Sequence, residues 1–242
     1  MSELAGGGLA SVDPMLEPLA ADLWVARRPL PLAVGDVGAR MTVLRLPDRS
    51  LMLHSPVQLD ASLVQALREL GAVKWLLGPS KVHHLFLGDY VKAFPDAALC
   101  GAPGLAEKRR DLAFQHVLAP QLPPGWPESV KLQLVEGAPF MNEVALLHTP
   151  SRTLVLTDLV FNVQPEATNR ARLFHWLVGA TGHFGPHRLI RFGIRDRAAA
   201  RRSLDRILAW DFDRVVMSHG EVVSTGGHRL VEQAFAFLRR GT

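Results

Sequence analysis

Apolar and polar positions change period along the chain, and the changes mark out its elements. Residues 22–26 and 41–46 alternate as strands do, Pro47-Asp48-Arg49-Ser50 supplies a turn, and residues 51–54 add a further strand, so the chain opens as a β-meander. Asp60 stands where an N-cap belongs, ahead of Leu63, Leu67 and Leu70 at helical spacing, and Gly71 stops that helix. The apolar run 73–77 suits a strand covered on both faces. A second helix is expected from about residue 83 to 94, closed by Pro95, and a strand over 97–100 completes a β-α-β-α-β passage. Residues 106–127 are irregular and proline-rich, a connection with no core of their own. Strands over 143–147 and 153–157 flank Thr149-Pro150-Ser151-Arg152, which reads as a hairpin turn. A helical region near 170–178, a Gly/His loop over 179–187 and a helix capped by Asp196 with Leu204, Ile207 and Leu208 on one face follow. A short strand over 215–217 and an amphipathic stretch over 228–238 close the chain.

With 242 residues, of which 48% are hydrophobic and 21% charged, there is material for a large core. The reading is one domain over 16–242 behind a flexible Gly-rich leader over 1–15. No apolar run approaches membrane-spanning length and the first residues lack a secretory pattern, so a cytoplasmic protein without membrane contact is expected. A single cysteine, Cys100, excludes an intramolecular disulfide and any Cys-based zinc cluster. A metal site would use His, Asp and Glu, and ten histidines are present. The net charge of +4 is too small for a protein that wraps nucleic acid. Nine arginines gather between Val163 and Trp210, but no aromatic interleaving accompanies them, so the expected partner is a small molecule and not a nucleic acid.

Polar residues collect where strands end, the usual place for ligand and catalytic groups in open α/β sheets. Gly78-Pro79-Ser80-Lys81-Val82-His83-His84 follows the buried strand 73–77, Asp158 ends the strand 153–157, and His219 ends the strand 215–217 before Gly220. This order of strand, paired histidines, strand-Asp and strand-His-Gly resembles the metallo-β-lactamase superfamily, across nearly the whole chain from Leu16. That family's T-H-x-H-x-D-H loop falls on Gly78 to His84, where Pro79 and Lys81 replace its first two histidines, His83 replaces its aspartate and His84 keeps its final ligand position. The family's intermediate histidine would fall near Pro139 and is absent. More narrowly, the chain resembles a branch known as a domain of unknown function, with paired histidines in place of the standard loop.

The resemblance implies an α/β fold, the four-layer αββα sandwich, and a metal centre that has lost its three-histidine site. The remaining site would be His83, His84, Asp158 and His219, holding one divalent ion, zinc or iron, with room for water. His84 keeps the family's position, while His83 is either a further ligand or a group that orients one. Lys81, at a lost ligand position, could fill the first-site space with its own cation. His54 stands where the family often has an aspartate near the loop, which suggests a pocket rim.

Glu143 comes from hairpin geometry and not from the family. A symmetric turn pairs it with Asp158, two carboxylates side by side that want a cation. The same geometry leaves His148 at the turn, about 16 Å from Asp158 at roughly 3.3 Å per residue, as a structural histidine. His183 and His187 are candidates for substrate contact, although Gly185-Pro186 between them breaks any helix that would align them. Together these features predict a hydrolase-like protein with an altered, mononuclear centre acting on an ester, thioester or phosphodiester, with the arginine-rich segment favouring anionic ones, and Asp158 or Glu143 taking the proton. The competing reading is a metal-poor binding or regulatory module that keeps the fold.

Overall fold

The computed structural model describes residues 15–33, 35–164, 179 and 181–239, so all of the expected leader but residue 15, and the helical region over 170–178, lie outside the described residues. The first sheet opens with β1 (Glu17–Ala20) and β2 (Leu23–Arg28). A two-stranded ribbon of β3 (Pro31–Leu32) and β4 (Gly35–Asp36) leads to β5 (Ala39–Arg45) and β6 (Leu51–His54). Helix α1 (Ala61–Leu70) starts where Asp60 accepts the Leu63 amide at 2.8 Å, and it ends at Gly71. Strand β7 (Val73–Gly78), helix α2 (Leu87–Ala93), strand β8 (Ala98–Gly101), the single turn α3 (Leu105–Lys108) and β9 (His116–Val117) follow. The sheet order is β1-β2-β5-β6-β7-β8-β9, antiparallel up to β6 and parallel beyond it.

The second sheet joins β10 (Val130–Leu134), β11 (Val144–His148), β12 (Thr153–Val155) and β13 (Arg214–Val216), the last pair parallel. Its β11–β12 hairpin sets Leu147 opposite Leu154 and Leu146 opposite Val155, the register of a symmetric turn. Helices α4 (Arg188–Gly193), α5 (Arg197–Leu208) and α6 (Gly227–Ala234) cover it. Alternation sorts the strand side chains into three cores. Leu44, Met52, Trp75 and Leu77 of the first sheet meet Val144, Leu146 and Val155 of the second between the sheets. Leu51, Leu53 and Leu76 face α1 and α2, and Ala145, Leu147 and Leu154 face α4, α5 and α6. The result is a four-layer αββα sandwich.

Two departures from the sequence reading matter for function. The helix expected from residue 83 begins only at Leu87, because the buried Ser80 hydroxyl accepts the Val82 and His83 amides and holds residues 80–86 in turns. His83 and His84 therefore leave a loop and not a helix face. The proline-rich connection also contains β9 and is followed by β10, whose Val-Lys-Leu-Gln-Leu alternation edges the second sheet.

Candidate metal centre

Three loops converge at the carboxyl ends of β7, β12 and β13. They bring His83, Asp158 and His219 together, with one donor atom from each lying within 4.8 Å of the others. His83 Nε2 is 3.1 Å from Asp158 Oδ2, and His219 Nε2 is 3.3 Å from Asp158 Oδ1.

Each side chain is aimed by a neighbour behind it. His219 Nδ1 donates to the Gly38 carbonyl at 2.7 Å, which fixes its tautomer and turns Nε2 toward Asp158. The ring stacks on Phe161 at 5.5 Å and 6°. Arg40, buried, holds the loop on either side of His219, donating from Nη1 to the Met217 carbonyl at 2.5 Å and from Nη2 to the Gly220 carbonyl at 2.6 Å. Gly220 has φ +86°, and a Cβ there would stand 2.3 Å from the Asn162 carbonyl oxygen, so the turn demands glycine. His83 Nδ1 is 2.7 Å from the Ser55 hydroxyl, and Ser55 holds φ +58° just past β6. Asp158 is placed by Glu143, whose wholly buried carboxylate accepts the amides of Thr157, Asp158 and Leu159 at 2.7, 2.8 and 2.9 Å.

The electrostatics follow from burial. Desolvation works against an ionised Asp158, yet the flanking imidazoles hold its carboxyl far below the usual carboxylate range. Desolvation likewise opposes a charged His83, and Asp158 outweighs it and raises the imidazole. Burial, with Asp158 beside it, pushes Glu143 up to about 7 against the pull of its amide donors.

Several expected site residues take other places. His84 does not join the cluster. Its carbonyl and Nδ1 face Arg109 Nη1 at 2.6 and 3.3 Å, and burial together with Lys108 and Arg109 pushes its imidazole down to about 4. Adjacent residues in a turn point apart, and the site takes His83 where the family alignment favoured His84. Glu143 lies against Asp158 through that residue's own amide, and its oxygens accept backbone N–H groups of residues 157–159, so its carboxylate is turned to the loop that carries Asp158. Lys81 reaches away to the Pro139 carbonyl at 3.0 Å. His54 is buried and not on a rim, and burial with His83 nearby pushes it down to about 3. His183 is exposed, with Nδ1 3.4 Å from the Thr181 carbonyl. His187 does line the cavity over the cluster, and it also caps α4, its Nδ1 accepting the Leu189 and Ile190 amides at 3.1 and 3.3 Å. His148 sits at the far end of β11 with Nδ1 2.7 Å from Ser151 Oγ.

Sequence reasoning missed Ser55, Phe161 and Arg40. Arg40 left a sign: it shares a strand face with Thr42 and Leu44, and Leu44 belongs to the core between the sheets.

A cavity of about 370 Å³ opens over the cluster, reaching Ser55, His83, His84, Asp158, His187 and His219. The donor set fits a metal ion. With bonds of about 2.0–2.2 Å, neighbouring ligand atoms stand roughly 3–3.5 Å apart, as the two histidine nitrogens stand from Asp158. Two imidazoles and a carboxylate suit zinc or ferrous iron, and three protein ligands leave positions open toward the cavity.

Among the described residues no helix is long and apolar enough to cross a membrane. No curated protein matches the sequence. Solved structures with this architecture include metallo-β-lactamases. That from Hirschia baltica has a TM-score of 0.62 at 10% identity, covering 94% of this chain and 98% of that one. That from Pontibacter korlensis has 0.62 at 12%, covering 93% and 99%. FIM-1 from Pseudomonas aeruginosa in its mono-zinc form has 0.58 at 10%, covering 93% and 96%. At such identities the likeness establishes the fold. The profile of a domain of unknown function, DUF4336, matches residues 22–175, and this chain, a metallo-β-lactamase-like sandwich with a His-Asp-His cluster at its sheet ends, belongs to that family.

Proposed function

We propose that the protein is a metal-dependent hydrolase whose single divalent ion, zinc or iron, is held by His83, Asp158 and His219. The observation that carries this reading is the aiming of three donors from three distant loops at one point, with the His219 tautomer set by Gly38 so that a lone pair faces inward. A related fold solved in a mono-zinc form supports a one-ion centre. When bound, such an ion would supply Lewis acidity to a carbonyl or phosphoryl oxygen and acidify a water. The chain's own residues do the rest. Ser55 and Gly38 hold the two imidazoles in orientation, and Glu143 and Arg40 fix the loops that carry Asp158 and His219. Asp158, the one carboxylate among the described residues that line the cavity, would take a proton from an attacking water. The substrate is a small-molecule ester, thioester or phosphodiester, with no role for nucleic acid or membrane. A cytoplasmic setting accords with a lone, buried Cys100.

A second reading, a binding module that keeps the fold without chemistry, is favoured by the direct contacts of His83 and His219 with Asp158, which give the carboxylate partners from the chain itself. Elemental analysis of protein purified without added metal separates the two. The hydrolase reading expects close to one equivalent of zinc, iron or manganese, lost in His83→Ala and His219→Ala and kept in His84→Ala. Trace metal only, with no uptake on loading, would leave the binding module standing.

A further inference from the structure

The cavity above the cluster carries information about the substrate that the cluster does not. We infer that the substrate presents an uncharged apolar chain, an acyl or alkyl group, which lies in this cavity with its ester or thioester carbonyl over His83, Asp158 and His219. The inference rests on the hydrolase reading and narrows it.

Three observations carry it. The first is the wall: no Lys, Arg or Glu side chain is among the described residues that line the cavity, Asp158 is the only acidic one, and Phe86, Phe161 and Ile190 form much of the interior. At about 370 Å³ the space lies within the range of roughly 300–1,000 Å³ typical of small-molecule sites. The second is the rim, where Leu32, Val82, Leu85, Phe140 and Leu189 are 48%, 41%, 56%, 42% and 58% exposed. Five large apolar side chains held in water around one concave opening mark a surface made for apolar contact. The third is where the cations went. Arg191 and Arg197 lie over the Phe237 ring, Arg201 pairs with Asp205, and Arg206 pairs with Glu136. These four, of the nine arginines that suggested anionic esters from the sequence, are engaged on the outer helical layer. Among the described residues the lining offers an anionic substrate no Lys or Arg to pair with, whereas a neutral chain gains from every methylene it buries.

The test reads binding without turnover. Primary alkyl amides from butanamide to decanamide, with butanedioate as an anionic control, are titrated calorimetrically into the metal-loaded protein, the metal-stripped protein and His219→Ala. Affinity is expected to rise roughly four-fold per added methylene until the cavity is filled, in all three forms, since a buried CH₂ contributes about 0.8 kcal/mol. The double variant Leu85→Glu, Leu189→Glu is expected to flatten that rise while leaving butanamide binding within two-fold. A flat series in the folded wild type, or butanedioate binding more tightly than decanamide, overturns the inference even if the protein hydrolyses a short ester. A chain-length rise in a protein that neither retains metal nor cleaves any decanoyl ester overturns the hydrolase reading and leaves the cavity assignment intact.

Discussion

Two cavities meet at the loop that carries His219, and they differ in kind. One, of about 610 Å³, is lined by Arg27, Arg28, Arg40, Asp36 and Glu221, the other by the apolar side chains over His83, Asp158 and His219, and Val37 and Ala39 belong to both walls. On the charged side the cations already have partners: Arg27 faces Glu17 and Glu221, Arg28 faces Asp60, and Arg40 binds two carbonyls. Charge there builds the wall. On the other side, among the described lining residues, the one carboxylate lies between two histidines in largely apolar surroundings. The contrast separates the part of the molecule that holds His219 in place from the part that uses it.

Four perturbations break or sharpen this contrast. The largest effect is expected from Gly220→Ala, which drives a Cβ into the Asn162 carbonyl at a positive φ. A loss of about 4 kcal/mol in denaturant unfolding is expected, with metal retention abolished in whatever folds. A loss under about 1 kcal/mol would show that the wall is soft. Arg40→Met removes both carbonyl contacts while keeping much of the buried stem. About 3 kcal/mol of stability should go with it, and metal affinity should fall at least ten-fold by competition with a chelator. Unchanged affinity would mean that Gly38 alone suffices to aim His219.

Glu143→Gln tests the support beneath the apolar cavity. An amide nitrogen cannot accept, so at least one of three buried N–H groups loses its partner, at about 2 kcal/mol in thermal or denaturant unfolding and with weakened metal loading. A variant as stable as the wild type would contradict the positioning role. The smallest effect lies away from both cavities. Burial pushes His148 down to about 4 from its ordinary 6.5, so the unfolded chain binds the extra proton first as pH falls. This histidine's share of stability is therefore present above about 6.5 and lost between about 6.5 and 4. Stability measured across that window should decline less in His148→Phe, by about 1–2 kcal/mol, with metal content unchanged.

The legible part of this protein was its ladder. Asp60, Gly71 and the symmetric turn at Pro150-Ser151 fix α1 and the β11–β12 register, because capping and hairpin closure depend on residues a few positions apart. The same register carried Glu143 to Asp158. What it could not give was the direction of the carboxylate, since the ladder stops at Leu146 and Val155 and the chain curls so that its amides face Glu143. The choice between His83 and His84 turned on Ser80, whose hydroxyl keeps the loop from becoming helix four residues earlier than Leu87. Ser55 was beyond local pattern altogether, and for Arg40 the alternation gives only the strand face it occupies. Their partners, Met217, Gly220 and His83, are set by how the two sheets dock, and no periodicity within one strand encodes that.

His83 hangs from the first sheet, whereas Asp158 and His219 hang from the second. Neither half of the sandwich can assemble the centre alone, so its three donors meet only after the sheets have come together, the late and entropically costly event of long-range closure. An ion held there would bind the docked state and not the open chain. At a free concentration a hundred times its dissociation constant it would stabilise the fold by about 2.7 kcal/mol. Because parting the sheets must release it, the gain would fall largely on the rate of unfolding, so that such an ion would also time the protein's lifetime when chelators compete for it.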